Sequence, residues 1–243
     1  MARYAMVIDQ ERCVGCHSCA VACRSEWDVP VGFARTRVQQ TGVQGTMPEC
    51  SAVFHVAQCN QCERPSCIPV CPTGATWQEP NGIVRINKEL CIGCGSCVAA
   101  CPYGARYINA DKGKADKCDF CSDRLTQGLE PACVATCPGK AKIFGDLEDP
   151  KSNVFNLVYR EGARRIETAQ TAIGPNVFYA GKEEHLKMAS IAFPPGRSRT
   201  IAAVSVWGAV AKKLVMLAVG ATFLGQAVAF FHQLRTGEHQ FEE

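Results

Sequence analysis

Sixteen of the seventeen cysteines in this 243-residue chain fall into four groups of four. The first, Cys13, Cys16, Cys19 and Cys23, is spaced C-x2-C-x2-C-x3-C, and the third, Cys91, Cys94, Cys97 and Cys101, repeats it. The second, Cys59, Cys62, Cys67 and Cys71, widens the middle gap to x4. The fourth, Cys118, Cys121, Cys133 and Cys137, widens it to x11. Such a count could mean disulfides or metal, so spacing must decide. Three thiolates two residues apart on a curling loop can each reach a different iron of one cubane. The fourth, three residues on, starts a helix that leads away and ligates a second cubane. Structural zinc pairs two C-x2-C units across a longer gap and has no use for the extra cysteines at x2 and x3. Disulfides between cysteines this close would be strained. The spacing predicts four [4Fe–4S] clusters on sixteen iron ligands. It requires fourth cysteines to be exchanged between groups without saying which groups exchange. Cys50 is left over and reads as a plain buried or half-buried thiol.

The loops that carry these ligands are rich in small residues. CVGCHSC and CIGCGSC place Gly15, Gly93 and Gly95 where backbone must pass close to sulfide, and free N–H groups there can bond the anionic sulfurs. Proline follows the fourth cysteine at Pro72, Pro102 and Pro138, whereas Arg24 takes that place in the first group. A strand is expected at Tyr4–Ile8, and a hairpin in ATWQEPNGIVRIN around the Pro80-Asn81-Gly82 turn. Residues 24–58 form an insertion, with a further short strand at Phe54–Val56. Helices should be short, one behind each fourth cysteine. Residues 1–139 then make the cysteine domain, and the cysteine-free stretch 140–199 reads as a segment wrapped around it for docking a partner.

C-x2-C-x2-C-x3-C-P is the bacterial ferredoxin run. At larger scale the sequence resembles the four-cluster iron–sulfur (beta) subunits of the dimethyl sulfoxide reductase superfamily. The stretches that carry the likeness are CVGCHSCAVAC, CNQCERPSCIPVCPTGA, CIGCGSCVAACPYGAR, KCDFCSDRLTQGLEPACVATCPGKA and GPNVFYA, within residues 1–180. The resemblance implies an α+β fold of two nested ferredoxin-like two-cluster units, the first group pairing with the fourth and the second with the third. One cluster would then use Cys13, Cys16, Cys19 and Cys137, and its neighbour Cys118, Cys121, Cys133 and Cys23. The other two would use Cys59, Cys62, Cys67 and Cys101, and Cys91, Cys94, Cys97 and Cys71. Nitrate reductase partners of this kind replace one ligand; here all sixteen are kept, so four full cubanes are expected.

The C-terminal part differs in kind. Leu214–Phe231 is an apolar run without a charge, and eighteen residues at 1.5 Å each span about 27 Å, near the roughly 30 Å of a bilayer core. A transmembrane anchor is expected over 200–235, followed by a short polar tail, 236–243; a buried C-terminal helix is the rival reading. Gly220 and Gly225 would let another membrane helix approach. Arg197, Arg199, Lys212 and Lys213 before the run favour a cytoplasmic domain, whereas the resembled tail-anchored subunits commonly face the periplasm, so the side stays open. No secretory signal fits ahead of Cys13.

A net charge of +3 and no basic stripe with aromatics argue against nucleic acid. There is no P-loop, dinucleotide fingerprint or nucleophile–base pair, so no substrate site and no catalytic residue is expected. The five histidines form no cluster; His17 reads as solvent-facing filler beside the first group, and His232 as an interfacial residue. The resemblance implies an electron-transfer subunit that links a large molybdo- or tungstopterin catalytic subunit to an integral membrane subunit, quinone-binding or cytochrome b-type, with lipid nearby. The C-terminal run makes formate dehydrogenase the first expectation for the complex. Sulfur-compound or quinone reductases and hydrogenases are the alternatives, and a free-standing ferredoxin-type carrier is a further one.

Overall fold

The computed structural model describes residues 2–167, 172–192, 217 and 220–235. The elements begin with β1 (Tyr4–Asp9), α1 (Ser18–Trp27), β2 (Thr36–Gln40), β3 (Gln44–Thr46), β4 (Glu49–Ser51) and β5 (Phe54–Gln58). They continue with β6 (Thr76–Gln78), β7 (Val84–Ile86), α2 (Ser96–Ala99), β8 (Tyr107–Asn109) and β9 (Lys114–Asp116). Then come α3 (Ser122–Thr126), α4 (Ala132–Ala135), β10 (Lys142–Asp146), α5 (Asn153–Tyr159), β11 (Val177–Ala180) and α6 (Glu183–Ala192).

Four successive residues of β1, Ala5 to Ile8, are fully buried. A strand that is apolar at every position must be covered on both faces, because its side chains alternate. Met6 and Ile8 face a core with Phe120, Val134, Val177 and Tyr179, into which Cys19, Cys118 and Cys133 also pack. Ala5 and Val7 face a second core with Leu147, Val154 and Phe178. The third core gathers Cys67, Cys91 and Cys97 with Ala75, Val84 and Ala115. β1 is the middle strand of a three-stranded sheet, antiparallel to β10 (Tyr4↔Asp146) and parallel to β11 (Met6↔Val177). The stretch expected to wrap the domain therefore supplies two of the three strands of its central sheet.

The remaining strands pair as two-stranded ribbons: β2 with β5, β3 with β4, β6 with β7, β8 with β9. The ribbon at Thr76–Ile86 is the expected hairpin, its turn closed by Gly82 N–H to Glu79 O at 2.9 Å. The helices depart from expectation. Only α1 continues behind a fourth cysteine, Cys23; α2 and α4 end before theirs, and α3 follows the second cysteine of its group. An x3 spacing needs one helical turn, and the proline after the fourth cysteine disfavours helix at the residue before it. α2 and α4 are accordingly four residues each, ahead of Cys101-Pro102 and Cys137-Pro138. Where Arg24 replaces the proline, α1 is ten residues long, runs on to Trp27 and stops at Asp28, which is left-handed at φ 47°. Cys50, expected to be at least half-buried, is exposed on β4, because β3 and β4 pair only with each other.

His55 on β5 is buried, its ring stacked on Tyr179 at 5.0 Å. Burial pulls its pKa down to about 4, and the Arg37 charge acts the same way. Below the ordinary value of about 6.5 the unfolded chain takes up a proton that the fold refuses, so stability falls as pH drops from there towards 4. Between pH 7 and 5.5 this should cost about 1 kcal/mol, read from anaerobic urea midpoints. His55→Phe keeps the ring and should flatten that dependence; an unchanged slope would locate the effect elsewhere.

Residues 1–199 form one compact unit and 200–243 a second. In the second, 220–235 is helical and exposes Phe223, Leu224, Val228, Phe230, Phe231 and Leu234. Among the described residues no helix is long and apolar enough to cross a membrane. The expected transmembrane helix is thus not found there. Residues 214–216, 218 and 219 of the run, with 200–213 and the tail 236–243, lie outside the described residues.

Candidate functional site

Each C-x2-C loop turns on one left-handed residue just before its second cysteine: Gly15 (φ 67°), Gln61 (45°), Gly93 (68°) and Phe120 (55°). Glycine takes this conformation freely, whereas other residues hold it only when surrounding contacts enforce it. Gln61 is fully buried; its amide donates to Cys118 O at 2.8 Å and accepts from Val84 N–H at 2.8 Å. Phe120 is buried edge-on to Phe144 at 5.4 Å. His17 stands where the third group has Gly95, both left-handed at a helix start, and it is exposed, as expected of filler.

These loops bring the cysteines of distant groups together. Cys13, Cys16, Cys19 and Cys137 line one hollow of about 380 Å³, measured out to its open mouth. Cys71, Cys91, Cys94 and Cys97 line another of about 310 Å³. Cys23 has its thiol pushed up to about 12 by burial and then by the neighbouring charges of Cys133 and Cys121. Cys118 is pushed well above the usual thiol range by burial, with Cys23 and Cys133 acting the same way. Burial also raises Cys62, and Cys59, Cys101 and Cys67 add to it. Cysteines of the first and fourth groups, and of the second and third, are thus neighbours in space.

Donors and cations answer this crowding of sulfur. N–H groups point at ligand-position sulfurs from Ala141 to Cys137 (3.3 Å), Ala105 to Cys101 (3.5 Å) and Ala115 to Cys91 (3.4 Å). The Ser18 and Ser96 hydroxyls sit 3.4 Å from Cys16 and Cys94. Lys142 is buried, its Nζ 2.6 Å from Gln58 Oε1; burial pulls its pKa down, but Cys133, Cys19 and Cys118 more than reverse this. Arg106 is buried too and is held charged against burial by Cys67, Cys59 and Cys97. Late in the chain, Asn176 clamps the second group, its side chain donating to Gln61 O and its N–H to Asn60 O.

A single tetrahedral zinc needs its sulfurs about 2.3 Å from one point. Among the described residues, which include all sixteen cysteines, no group of three or more Cys, His, Asp or Glu is gathered closely enough to hold one metal ion. Sulfurs spread around a hollow, with N–H donors and a buried cation on its wall, fit an iron–sulfur cubane.

Lys142 and the pair Trp27–Arg35 (below) escaped the sequence reading, and Arg106 and Asn176, though within CIGCGSCVAACPYGAR and GPNVFYA, were not singled out. The one available signal was Arg24 in place of proline, which lets α1 reach Trp27.

Residues 50–147 match the family described as 4Fe-4S dicluster domain, and residues 4–25 the 4Fe-4S binding domain. A tetrathionate reductase subunit of Salmonella typhimurium is 45% identical over 184 residues, which cover 75% of this chain and 74% of that protein. The thiosulfate reductase electron transfer subunit of Salmonella typhi is 42% identical over 75% of this chain and 94% of its own. A polysulfide reductase subunit of Wolinella succinogenes is 45% identical over 64% and 83%. With its cysteines gathered around hollows and kinship of this extent, the protein belongs to the 4Fe–4S dicluster beta subunits of dimethyl sulfoxide reductase-family enzymes.

Proposed function

We propose that the protein relays electrons through four [4Fe–4S] clusters inside a sulfur-compound reductase. The ligand sets are Cys13, Cys16, Cys19 and Cys137; Cys23, Cys118, Cys121 and Cys133; Cys59, Cys62, Cys67 and Cys101; and Cys71, Cys91, Cys94 and Cys97. The observation that carries this reading is the pairing of the first group with the fourth, and of the second with the third, around separate hollows. Exposure supports an order. Cys16 and Cys94 are exposed, flanked by exposed Val14 and Ile92, while Cys23, Cys118, Cys121 and Cys133 are all buried. Electrons enter and leave at the two outer sites, and the inner ones are shielded from water.

The relatives act, by their names, in tetrathionate, thiosulfate and polysulfide reductases. They support the sulfur-compound alternative better than the first expectation of formate dehydrogenase. The partners are a large molybdo- or tungstopterin subunit that handles the substrate and a quinone-linked membrane subunit. Attachment to the membrane comes through that complex, with the apolar helix at 220–235 as a further contact.

Anaerobic purification of the native complex tests the reading. About sixteen irons per copy of this chain are expected, four per cubane, together with a pterin metal on a large partner. The complex should reduce tetrathionate, thiosulfate or polysulfide with a reduced-quinone analogue. A monomer with intact clusters and no partner, or a complex that oxidises formate instead, would overturn it.

A further inference from the structure

At the end of α1 the indole N–H of Trp27 points at the sulfur of Cys121, Nε1 to Sγ 3.2 Å, across 94 positions of sequence. The indole is held from its face. The guanidinium carbon of Arg35 lies 4.4 Å from the ring centroid, within the range of a cation–π contact. Arg35 is in turn fixed by a fork to Asp116, Nη2 to Oδ1 2.8 Å and Nε to Oδ2 3.2 Å, and stands 3.6 Å from Asp119. Tyr107 Oη donates to Asp116 at 2.8 Å and Lys88 reaches the same carboxylate at 2.9 Å. Both Arg35 and Asp116 are buried.

Charge alone does not explain this assembly. Two cations, Arg35 and Lys88, face two carboxylates, Asp116 and Asp119, so the group is close to neutral as seen from the cluster site. What it leaves aimed at the sulfur is one N–H dipole. Reduction of a cluster makes its sulfurs more negative and strengthens any hydrogen bond they accept, so a donor held in place raises the reduction potential. Ala141, Ala105 and Ala115 donate from backbone that every sequence supplies, and Lys142 and Arg106 bring charged side chains to Cys133 and Cys97; Trp27 brings a neutral side-chain donor, from a helix that extends past the point where a proline would have ended it.

We propose that Trp27 raises the potential of the cluster on Cys23, Cys118, Cys121 and Cys133 by donating its indole N–H to Cys121, with Arg35 as the positioning residue that holds the ring. The inference rests on the ligand set proposed above. Trp27→Phe keeps an aromatic face for Arg35 and removes the N–H together with the larger part of the indole's second ring.

The test is an EPR-monitored redox titration of the anaerobic complex. In Trp27→Phe the midpoint of one cluster signal should move to lower potential, with iron content and the other three midpoints unchanged. Arg35→Lys, which loses the fork and loosens the ring, should move the same signal the same way. In wild type labelled with ¹⁵N-indole tryptophan, that reduced cluster should show a nitrogen hyperfine coupling that the others lack, a readout that needs no variant. Cys121→Ser identifies the signal. Should Cys121→Ser disturb none of the four, the ligand set itself is wrong. Should it disturb one whose midpoint Trp27→Phe leaves in place, or whose nitrogen coupling is absent, the role of Trp27 alone is refuted. A uniform shift of all four would make Trp27 a packing residue only.

Discussion

Cys133→Ala is expected to yield a protein that fails to fold stably, whereas Cys94→Ala, an exchange of the same chemistry, should leave a folded protein with about twelve irons. Cys133 is 4% exposed and lies in the core with Met6, Ile8, Phe120 and Tyr179. Without it, Cys23, Cys118 and Cys121 remain buried, and burial raises the pKa of each. Where a site exists only in the fold, binding energy is folding energy, so its loss and the void together should exceed about 4 kcal/mol. Cys94 is exposed at an outer hollow, and its neighbours in the third core are held by Ala75, Val84 and Ala115. Iron per chain after anaerobic desalting, with far-UV circular dichroism, measures both variants. The opposite ranking would mean that the outer site, not the inner one, supports the fold.

Equivalent glycines in the two repeats should likewise tolerate alanine unequally. Gly15 and Gly93 share a left-handed conformation, which costs any other residue about 1–2 kcal/mol. A Cβ on Gly93 would lie 2.1 Å from the backbone oxygen of Gly113, in a turn closed by Gly113 N–H to Asn109 O at 2.8 Å. Backbone locked in this way cannot retreat. At Gly15 the Cβ would meet the Phe54 ring at 2.3 Å, a side chain at the end of β5 that can rotate away. Gly15→Ala should therefore cost about 1–2 kcal/mol, and Gly93→Ala about 3 kcal/mol or more with loss of the outer cluster beside it. Thermal midpoints and the count of EPR signals check this; equal effects would show that the 109–113 turn gives way.

The metal chemistry was legible because ligand spacing is a local property. A single turn linking Cys97 to Cys101, or Cys133 to Cys137, dictates helix length once the following proline is read. β1 was legible from its apolar run. What escaped depends on contacts made far along the sequence. Nothing in CNQC or CDFC announces that Gln61 and Phe120 adopt the conformation that glycine adopts in their counterparts; Val84, Cys118 and Phe144 impose it. Trp27 and Arg35 look like an ordinary helix end and an ordinary charge until Asp116 and Cys121 are placed beside them. The 140–199 stretch lacks cysteine, and so gave no sign that it closes the sheet on both sides of β1.

That sheet imposes a timetable on biosynthesis. The first strand made pairs with strands at 142–146 and 177–180, so during translation Tyr4-Ala5-Met6-Val7-Ile8 has no native strand partner for about 135 residues, roughly 7–27 s at ribosomal speed. An unpaired apolar strand is open to wrong pairing with other chains for all of that time. The second and third cysteine groups emerge and can meet well before the fourth reaches the first. The topology thus lets the middle of the sequence close before its ends, and a holding chaperone for the nascent N-terminal strand would act in the interval before they meet.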